Sequence, residues 1–273
     1  MGNSIKSIWI LSLLLLFFNF NLCKKENKSK KGIISLAPNV TEIIFALNAG
    51  DRLKGVTVFC DYPPETQKIK KIGDFINPSI EKIISLSPEI VFAVVPIHTT
   101  VTEKLRALGI HVITLKDPET IEEIYQEIDS IGKALKKEKE AERLISHIKR
   151  EFNKLKPTSW GLKVYIEISE NPYVTVGKYS YLNDLFKKLG YKNIFNDIKE
   201  KYPVVNAEEI IKRNPDAIVI LHPKATDVLK RPGWRRISAV KNRKIVKDVD
   251  YSVFLRPGPR ILEAARIIQE KLR

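Results

Sequence analysis

Two glutamates, Glu81 and Glu208, stand out in this sequence because they occupy the same place in two copies of one pattern. Each lies two residues after a good helix-capping residue, Ser79 in one copy and Asn206 in the other. The helix dipole favours an anion in a first turn, so we expect both carboxylates at the start of a helix. On the residues alone they are ordinary first-turn acids, and on separate lobes they would be too far apart for shared acid–base chemistry.

The pattern around each glutamate predicts a short capped helix, a turn marked by proline and a buried strand. Pro88 and Pro215 take the same place in the two copies, and an acid follows each of them. The apolar runs that come next, residues 90–95 and 217–221, lack polar alternation, which is typical of strands covered on both faces of a parallel sheet. A repeat at so long an interval indicates two similar lobes, each displaying one glutamate.

Aromatic side chains dominate the loops that should face a cleft between such lobes. Parallel sheets place these loops at the carboxyl ends of their strands, and two facing lobes form a cleft there. The side chains expected in these loops are Phe59, Tyr62, Phe75, His98, Tyr202, His222, Phe254 and Arg256. For any single aromatic, core packing or a solvated loop is the simpler interpretation, but together they predict a mostly apolar cleft with few charges. His222 could ligate a metal centre as a neutral imidazole, or it could simply contact solvent.

Strands that alternate with helices predict an α/β fold on both sides of a helical connector. The predicted parts are an N-terminal α/β lobe over 33–118, connecting helices over 119–157 and a C-terminal α/β lobe over 158–273. In the first lobe we expect a helix from about Thr41 that ends at Gly50, and a strand over 56–59. In the second lobe we expect Trp234 to be a packing anchor rather than a platform for a ligand.

The connector consists of two amphipathic stripes. Apolar residues recur at spacings of three and four from Ile121 to Ile131, and again from Ala141 to Leu155. The second stripe covers about 20 residues, or roughly 30 Å at about 1.5 Å per residue, which is enough to cross between lobes as one rigid rod. One more surface helix of a single domain is the alternative, and the position of the repeat on either side favours the rod.

The N-terminus predicts export. Lys6 precedes an apolar run of about a dozen residues, which is too short to span a bilayer comfortably and typical of a signal peptide over 1–23. Cys23 follows Phe20-Asn21-Leu22, a loose match to the site at which bacterial lipoproteins are cleaved and lipidated. A plainly secreted protein or an uncleaved anchor are the alternatives. Residues 24–32 are polar and aperiodic, which predicts a disordered basic tether.

Composition bounds the remaining classes of function. The 273 residues are 44% hydrophobic, so the chain can build two lobes of ordinary size. The net charge of +15 is spread over the chain without a nucleic-acid motif, which favours a soluble protein with a basic surface near an anionic membrane over a nucleic-acid binder. Of the two cysteines, Cys23 and Cys60, one lies in the leader, so we expect no internal disulfide and no cysteine metal site.

Motifs of common enzyme classes are missing from the sequence. We find no GxSxG, HExxH, Walker or GxGxxG pattern, and no paired catalytic acids within one lobe. The sequence therefore predicts a binding protein rather than an enzyme. A surface adhesin, which would bind a host protein and no small ligand, is a further alternative that the aromatic cleft and the rigid connector disfavour.

Five motifs give the chain a specific resemblance. They are ISLAPNVTE at 34–42, DYPP at 61–64, IEKI at 80–83, SPEIV at 87–91 and RPGPR at 256–260. With them the chain resembles the class III substrate-binding proteins of bacterial ABC importers, and within these the periplasmic cobalamin-binding family. The likeness covers nearly everything from residue 33 to the C-terminus. The motifs discriminate poorly between the superfamily's ligands, which are corrinoids, haem and ferric siderophores.

The resemblance implies a mode of action. It implies a monomer with two α/β lobes bridged by one long helix, which captures a ligand between the lobes and delivers it to a membrane permease dimer with its ATPase. No cofactor is implied, because cobalamin would be the transported ligand. The family's glutamates, one on each lobe, pair with arginines of the permease, and they fall on Glu81 and Glu208.

The resemblance also implies ligand contacts. The family's corrinoid-contacting aromatics fall on Phe59, Phe75 and Tyr202, and a cleft arginine falls on Arg256. This chain departs from the family at Phe75 and Tyr202, where tryptophans are expected, and at Val94, where another aromatic is expected. The acid expected just before Arg256 has no clean counterpart, and Asp250 is the nearest candidate. A haem or ferric-siderophore protein of the same superfamily is therefore the alternative.

Overall fold

Two separate five-stranded sheets form the framework of the protein, one on either side of the connector. The structure is a computed structural model that describes residues 32–155, 160–223 and 226–273. The strands are β1 (Ile33–Ser35), β2 (Leu53–Val56), β3 (Lys70–Lys71), β4 (Ile90–Val95), β5 (Val112–Lys116), β6 (Lys163–Glu170), β7 (Tyr173–Thr175), β8 (Lys192–Asn193), β9 (Ala217–Ile220) and β10 (Ile245–Val246). The helices are α1 (Pro38–Ala46), α2 (Ile80–Ser85), α3 (Thr99–Ala107), α4 (Ile121–Leu135), α5 (Glu138–Lys154), α6 (Tyr181–Lys188), α7 (Ala207–Arg213), α8 (Ser238–Lys241), α9 (Ser252–Leu255) and α10 (Ile261–Lys271).

The first sheet is parallel throughout and has the order β3-β2-β1-β4-β5. The second sheet has the order β10-β9-β6-β7, and β8 pairs with the beginning of β6. Its pairs are parallel except β7, which runs antiparallel to the end of β6 as an edge strand. The predicted α/β class with central parallel sheets is confirmed.

Both copies of the repeat fold as predicted. The Ser79 hydroxyl accepts a hydrogen bond from the amide of Lys82 at 3.2 Å, and the Asn206 side chain accepts one from the amide of Glu209 at 2.8 Å. These bonds satisfy amide groups that would otherwise lack a partner at the start of α2 and α7. Strands β4 and β9 follow at the places that the apolar runs predict.

Two local predictions in the first lobe are wrong. Helix α1 begins at Pro38 rather than Thr41, because a proline fits the first helical position, where its missing amide proton costs nothing. The helix ends at Ala46, ahead of the left-handed Asn48, and Gly50 instead begins a short 3-10 helix. The second strand covers Leu53–Val56 rather than 56–59, and the chain turns after it.

Helices α4 and α5 form the connector and pack closely. A Cβ atom added at Gly132 would lie 2.6 Å from the Cβ of Ala141, so the two helices touch where glycine leaves room. Lys136 takes a left-handed conformation between them, with φ of 58°. Helix α5 has 17 residues, or about 25 Å, which is shorter than the rod that the sequence predicts.

The apolar core is continuous across the connector. One large cluster includes Ile33 of the first sheet, Ile128 of α4 and Val164 of the second sheet. Trp234 lies in a second cluster and is fully buried, stacked on Tyr173 with 5.7 Å between ring centroids, so its prediction as a packing anchor is confirmed.

The predictions for the N-terminus cannot be placed on this framework. The signal peptide, Cys23 and the tether up to residue 31 lie outside the described residues. Within the described ranges, no helix has the length and the apolar character needed to cross a bilayer. Cys60 is buried there as a free thiol that accepts a hydrogen bond from Thr41, and burial raises its pKa.

Candidate ligand-binding site

A cavity of about 630 Å³ lies between the parts of the chain that carry the two sheets. Its lining from the first lobe follows the carboxyl end of every strand in that sheet, as parallel topology predicts. These lining residues are Pro38 and Asn39 after β1, Phe59 after β2, Phe75 and Ile76 after β3, Val94 to Ile97 at the end of β4, and Asp117 after β5. The second lobe contributes Tyr181, Tyr202, Tyr251, Ser252, Leu255, Arg256 and Pro257.

Buried hydrogen bonds hold one wall of the cavity. His98 is fully buried at the start of α3, and its backbone amide donates to the carbonyl of Val94 at 3.0 Å. Its ring Nδ1 accepts from the amide of Val94 at 3.0 Å, and its Nε2 donates to the carbonyl of Phe75 at 2.6 Å. The edge of the His98 ring also contacts Phe75, with 5.0 Å between centroids. His98 therefore lies behind the wall and supports it.

Tyr202 presents its ring rather than its hydroxyl to the cavity. The residue is 36% exposed, yet burial raises the pKa of its hydroxyl to about 12. The hydroxyl lies near the side chains of Ser180 and Tyr181, and the Tyr181 hydroxyl donates to the carbonyl of Phe254. Because the polar end is buried beside these side chains, the exposed part of Tyr202 is a flat apolar face that suits stacking.

Arg256 lines the cavity but is occupied by acids of the first lobe. Its guanidinium donates to Asp61 at 2.6 Å, to Glu42 at 3.1 Å and to the carbonyl of Phe59 at 3.1 Å. The hydrogen bond from Arg256 lowers the pKa of Asp61. These acids replace the one that the family resemblance places just before Arg256, while Asp250 lies 3.6 Å from Arg260 instead.

Glu42 lies at the centre of this charged cluster. Its side chain is only 2% exposed, and it accepts two hydrogen bonds from Arg260, at 2.7 and 2.9 Å, besides the one from Arg256. A buried carboxylate needs such compensation, because removing it from water is costly. The cluster therefore fixes the loop over 256–260 of the second lobe against α1 of the first.

A second charged pair lies at the other end of the lining. Asp117 accepts a hydrogen bond from the Lys201 ammonium at 2.6 Å, and the same ammonium donates to the carbonyls of Asp117 and Pro118 at 3.0 Å. Among the residues that the structure describes, Asp117 and Arg256 are the charged side chains of the lining, and each is paired with an opposite charge.

A buried acid lies behind the lining residue Asn39. The Asn39 side-chain amide donates to Glu127 Oε1 at 3.0 Å, while Oε2 of the same carboxyl has no hydrogen-bond partner among the described residues. Burial, with the nearby charge of Asp117, raises the pKa of Glu127 to about 8. Glu127 is therefore mostly protonated at neutral pH, which makes an unpaired oxygen tolerable.

Besides His98, three residues expected in the cleft lie outside the lining. Tyr62 is partly exposed, and its ring lies under the guanidinium of Arg260, 4.3 Å from the ring centroid. Phe254 is fully buried, and its neighbours Leu255 and Arg256 line the cavity in its place. Both still serve the site, because Tyr62 supports the charged cluster and the Phe254 carbonyl accepts from Tyr181.

His222 is the third of these residues. Its Nε2 hydrogen-bonds with Glu167 Oε1 at 2.8 Å, and the buried Glu167 also accepts two hydrogen bonds from Arg231. This cluster holds His222 and Arg231 against β6, and none of the described residues that follow β9 up to His222 lines the cavity. Within residues 32–155, 160–223 and 226–273, no group of three or more His, Cys, Asp or Glu side chains could hold a metal ion.

Glu81 and Glu208 are exposed in the first turns of α2 and α7. Glu81 accepts a hydrogen bond from the Ser79 hydroxyl at 2.9 Å. In the second copy the adjacent acid, Glu209, is bonded to Arg213 at 2.8 Å. Glu209 thus forms an ion pair within its own helix, and Glu208 is the solvent-exposed acid that corresponds to Glu81.

Sequence reasoning missed Glu42, Arg260, Asn39, Glu127 and the inward-facing role of His98. Glu42, Asn39 and Arg260 lie within the motifs that carry the family resemblance, so a signal for them was present. No signal marked Glu127, which occupies a polar position on an otherwise regular amphipathic helix.

A comparison with known families gives one match that covers most of the chain. The model of a family described as "Periplasmic binding protein" matches residues 33–250. The uncharacterized ABC transporter substrate-binding lipoprotein YvrC of Bacillus subtilis is 35% identical over 256 residues, covering 90% of this chain and 81% of that protein. A vitamin B12-binding protein of Pectobacterium carotovorum is 27% identical over 270 residues, covering 97% of this chain and 94% of that protein.

A solved structure has the same architecture. It is that of a possible iron-binding (periplasmic solute-binding) protein from Staphylococcus epidermidis, with a TM-score of 0.78 and 33% identity. The match covers 88% of this chain and 97% of that one. The fold of the described chain is therefore that of a two-lobed binding protein.

The charged cluster yields a prediction about stability. Glu42→Gln keeps the size of the side chain but leaves Arg256 and Arg260 without their central anion, so we expect the free energy of unfolding to fall by about 3–5 kcal/mol. Chemical denaturation at neutral pH measures it. The matched control is Glu65→Gln, an exposed acid whose loss should change stability by no more than about 0.5 kcal/mol. Equal, small effects of the two variants would show that the cluster is not needed for folding.

Proposed function

Starting from the premise that this chain belongs to the periplasmic binding protein family, we propose that it captures a corrinoid between its two lobes and delivers it to the permease of an ABC importer. Proteins of this family bind a ligand outside the cytoplasm and work with a permease and its ATPase. They are binding proteins without a cofactor, so a corrinoid would be cargo, and we propose that this chain carries out no catalysis. We also propose that Cys23 carries a lipid anchor. Mass spectrometry of protein extracted from membranes would show whether Cys23 is lipidated.

The charge balance of the cavity is the observation that carries the choice of ligand. Both charged side chains among the described lining residues, Asp117 and Arg256, already have partners, so the described lining offers no free charge to a buried ion. Burying an unpaired carboxylate costs several kcal/mol, which is similar to the cost of removing one partner from a buried ion pair. A corrin ring carries amides at its periphery, whereas haem carries two carboxylates and many ferric siderophores are anionic. A cavity whose charged side chains are already paired therefore favours the corrinoid.

Flat apolar surfaces support the same choice. Phe75 and Phe59 line the first lobe's side of the cavity, and the ring of Tyr202 lines the other. A planar macrocycle can bury large areas against such rings. The tryptophans expected from the family are smaller aromatics here, which leaves more room without changing the apolar character of the walls.

Haem is the second candidate, and one residue favours it. Tyr251 lines the cavity and is 39% exposed, and a tyrosine phenolate can ligate ferric haem iron. Histidine ligation has less support, because both ring nitrogens of His98 are bonded and His222 lies outside the lining.

Glu81 and Glu208 are proposed as the contacts with the permease. Two exposed carboxylates on short, capped helices of similar structure would offer matching anchors to the two halves of a permease dimer. Interactions of this kind set the encounter rate and the orientation more than the affinity.

We predict that cyanocobalamin binds the purified protein. Isothermal titration calorimetry should give a saturable isotherm with one site, and haemin should give at most weak binding. A shifted Soret band with haemin and no heat with cyanocobalamin would replace the corrinoid by haem, and Tyr251→Phe would then test the axial ligand.

The two aromatic walls yield a second prediction. Phe75→Ala and Tyr202→Ala should each weaken capture of cyanocobalamin by about 1–3 kcal/mol, because each removes buried ring area. Tyr202→Phe is the matched control, and it should bind almost as the wild type does because the hydroxyl faces away from the ligand. Wild-type affinity in both alanine variants would place the binding surface elsewhere.

The docking proposal predicts that transport and capture separate. The double variant Glu81→Ala/Glu208→Ala should bind cyanocobalamin normally, while stimulation of ATP hydrolysis by the cognate transporter in proteoliposomes falls sharply. The control Glu103→Ala/Glu209→Ala removes the same charge, from α3 and from the position next to Glu208 in α7, and should keep the stimulation. Full stimulation by the first double variant would exclude a docking role for the two acids.

A further inference from the structure

His98 occupies the place where a neighbouring strand would continue the first sheet. Strand β1 ends at Ser35, which pairs with Phe92, so the backbone groups of Val94 on that side of β4 have no strand beside them. A buried amide without a partner is costly. The His98 backbone amide meets the carbonyl of Val94, and the His98 ring accepts from the amide of Val94, each at 3.0 Å.

The opposite side of the same ring holds a second part of the wall. Nε2 donates to the carbonyl of Phe75 at 2.6 Å, and the ring contacts the Phe75 side chain. Phe75 and the turn over 94–97 both line the cavity. One imidazole thus joins two pieces of the cavity wall that are distant in sequence.

This arrangement requires one protonation state. Nδ1 must be unprotonated to accept from Val94, while Nε2 must carry the proton that it donates to Phe75. A second proton on Nδ1 would place two N–H groups face to face at a buried position and break the bond to Val94.

We propose that His98 is the positioning residue for this wall of the cavity, and that its protonation loosens the wall and releases the ligand in acid. The ligand part rests on the proposed function, whereas the coupling of His98 to Val94 and Phe75 does not. As a consequence of this protonation, the protein holds its cargo at neutral pH and loses affinity for it as the surroundings become acidic.

The electrostatic surroundings give the pH range. Burial lowers the pKa of His98 below 6.5, with the Phe75 carbonyl opposing the shift, and no charged side chain contributes to it in the described part of the chain. Ligand affinity is therefore fully present above 6.5 and is lost as pH falls through the lowered pKa of His98. Two acids near the cavity, Glu127 and Asp61, titrate outside this range. The pKa of Glu127 is raised to about 8, so it is protonated first, and the lowered pKa of Asp61 keeps that acid charged.

The test is affinity for cyanocobalamin between pH 7 and pH 5. For the wild type the dissociation constant should rise by up to about tenfold per pH unit below the pKa of His98. His98→Asn can still accept from Val94 but does not titrate, so its affinity should change little over this range. His111→Asn, which removes an exposed histidine, should keep the wild-type slope. A flat wild-type profile, or a wild-type slope in His98→Asn, would overturn the proposal.

A second measurement uses the unsubstituted, ligand-free protein. In NMR spectra recorded against pH, the amide of Val94 should titrate with the same midpoint as the His98 ring, below 6.5. A His98 ring that titrates while the amide of Val94 stays unchanged would refute the coupling. Failure of cyanocobalamin to bind at any pH would count against the corrinoid and leave this second result standing.

Discussion

The rest of the site depends on the ion pairs that the Glu42 carboxylate forms with Arg256 and Arg260. This carboxylate is nearly inaccessible to water, so its charge must be matched within the protein, and both matching charges come from the far end of the chain. The contact joins the first helix of one lobe to the segment that carries the second lobe's share of the cavity. It also occupies Arg256, so an arginine at the cavity surface offers no free charge. One buried ion cluster thus sets both the placement of the lobes and the electrostatic character of the cavity.

Several polar groups at the lining are bonded within the protein. The hydroxyl of Tyr202 is buried beside Ser180 and Tyr181, the ring of His98 bonds to the Phe75 carbonyl, and Asp117 is paired with Lys201. Each polar group is satisfied by the protein and does not need the ligand. What remains at the cavity surface is mostly aromatic and aliphatic, with Asn39, Tyr251 and Ser252 as its uncharged polar residues, which suits a large and flat cargo.

The internal repeat preserves the exposed acid but not the binding surface. In the first lobe the loops after all five strands reach the cavity. In the second lobe the loop after β9 is held instead by Glu167, which bonds both His222 and Arg231. Similar halves therefore differ where they face each other and agree where Glu81 and Glu208 are displayed, as expected if the cargo is asymmetric and the partner is a dimer.

Local chemistry along the sequence determined the α/β class, the capped helices of the repeat, strand β4 and the aromatic character of Phe59, Phe75 and Tyr202, because capping residues and apolar runs act over a few neighbours. The predictions for the start of α1 and for the extent of β2 were wrong, because a proline at a helix start and a strand of only four residues leave weak signals in the sequence. Only the tertiary structure decided that Arg256 is matched by Glu42 and Asp61, that His98 supports the wall, and that His222 lies outside the lining. Those outcomes depend on side chains that are far apart in sequence and meet only when both lobes are folded, so no local pattern could contain them.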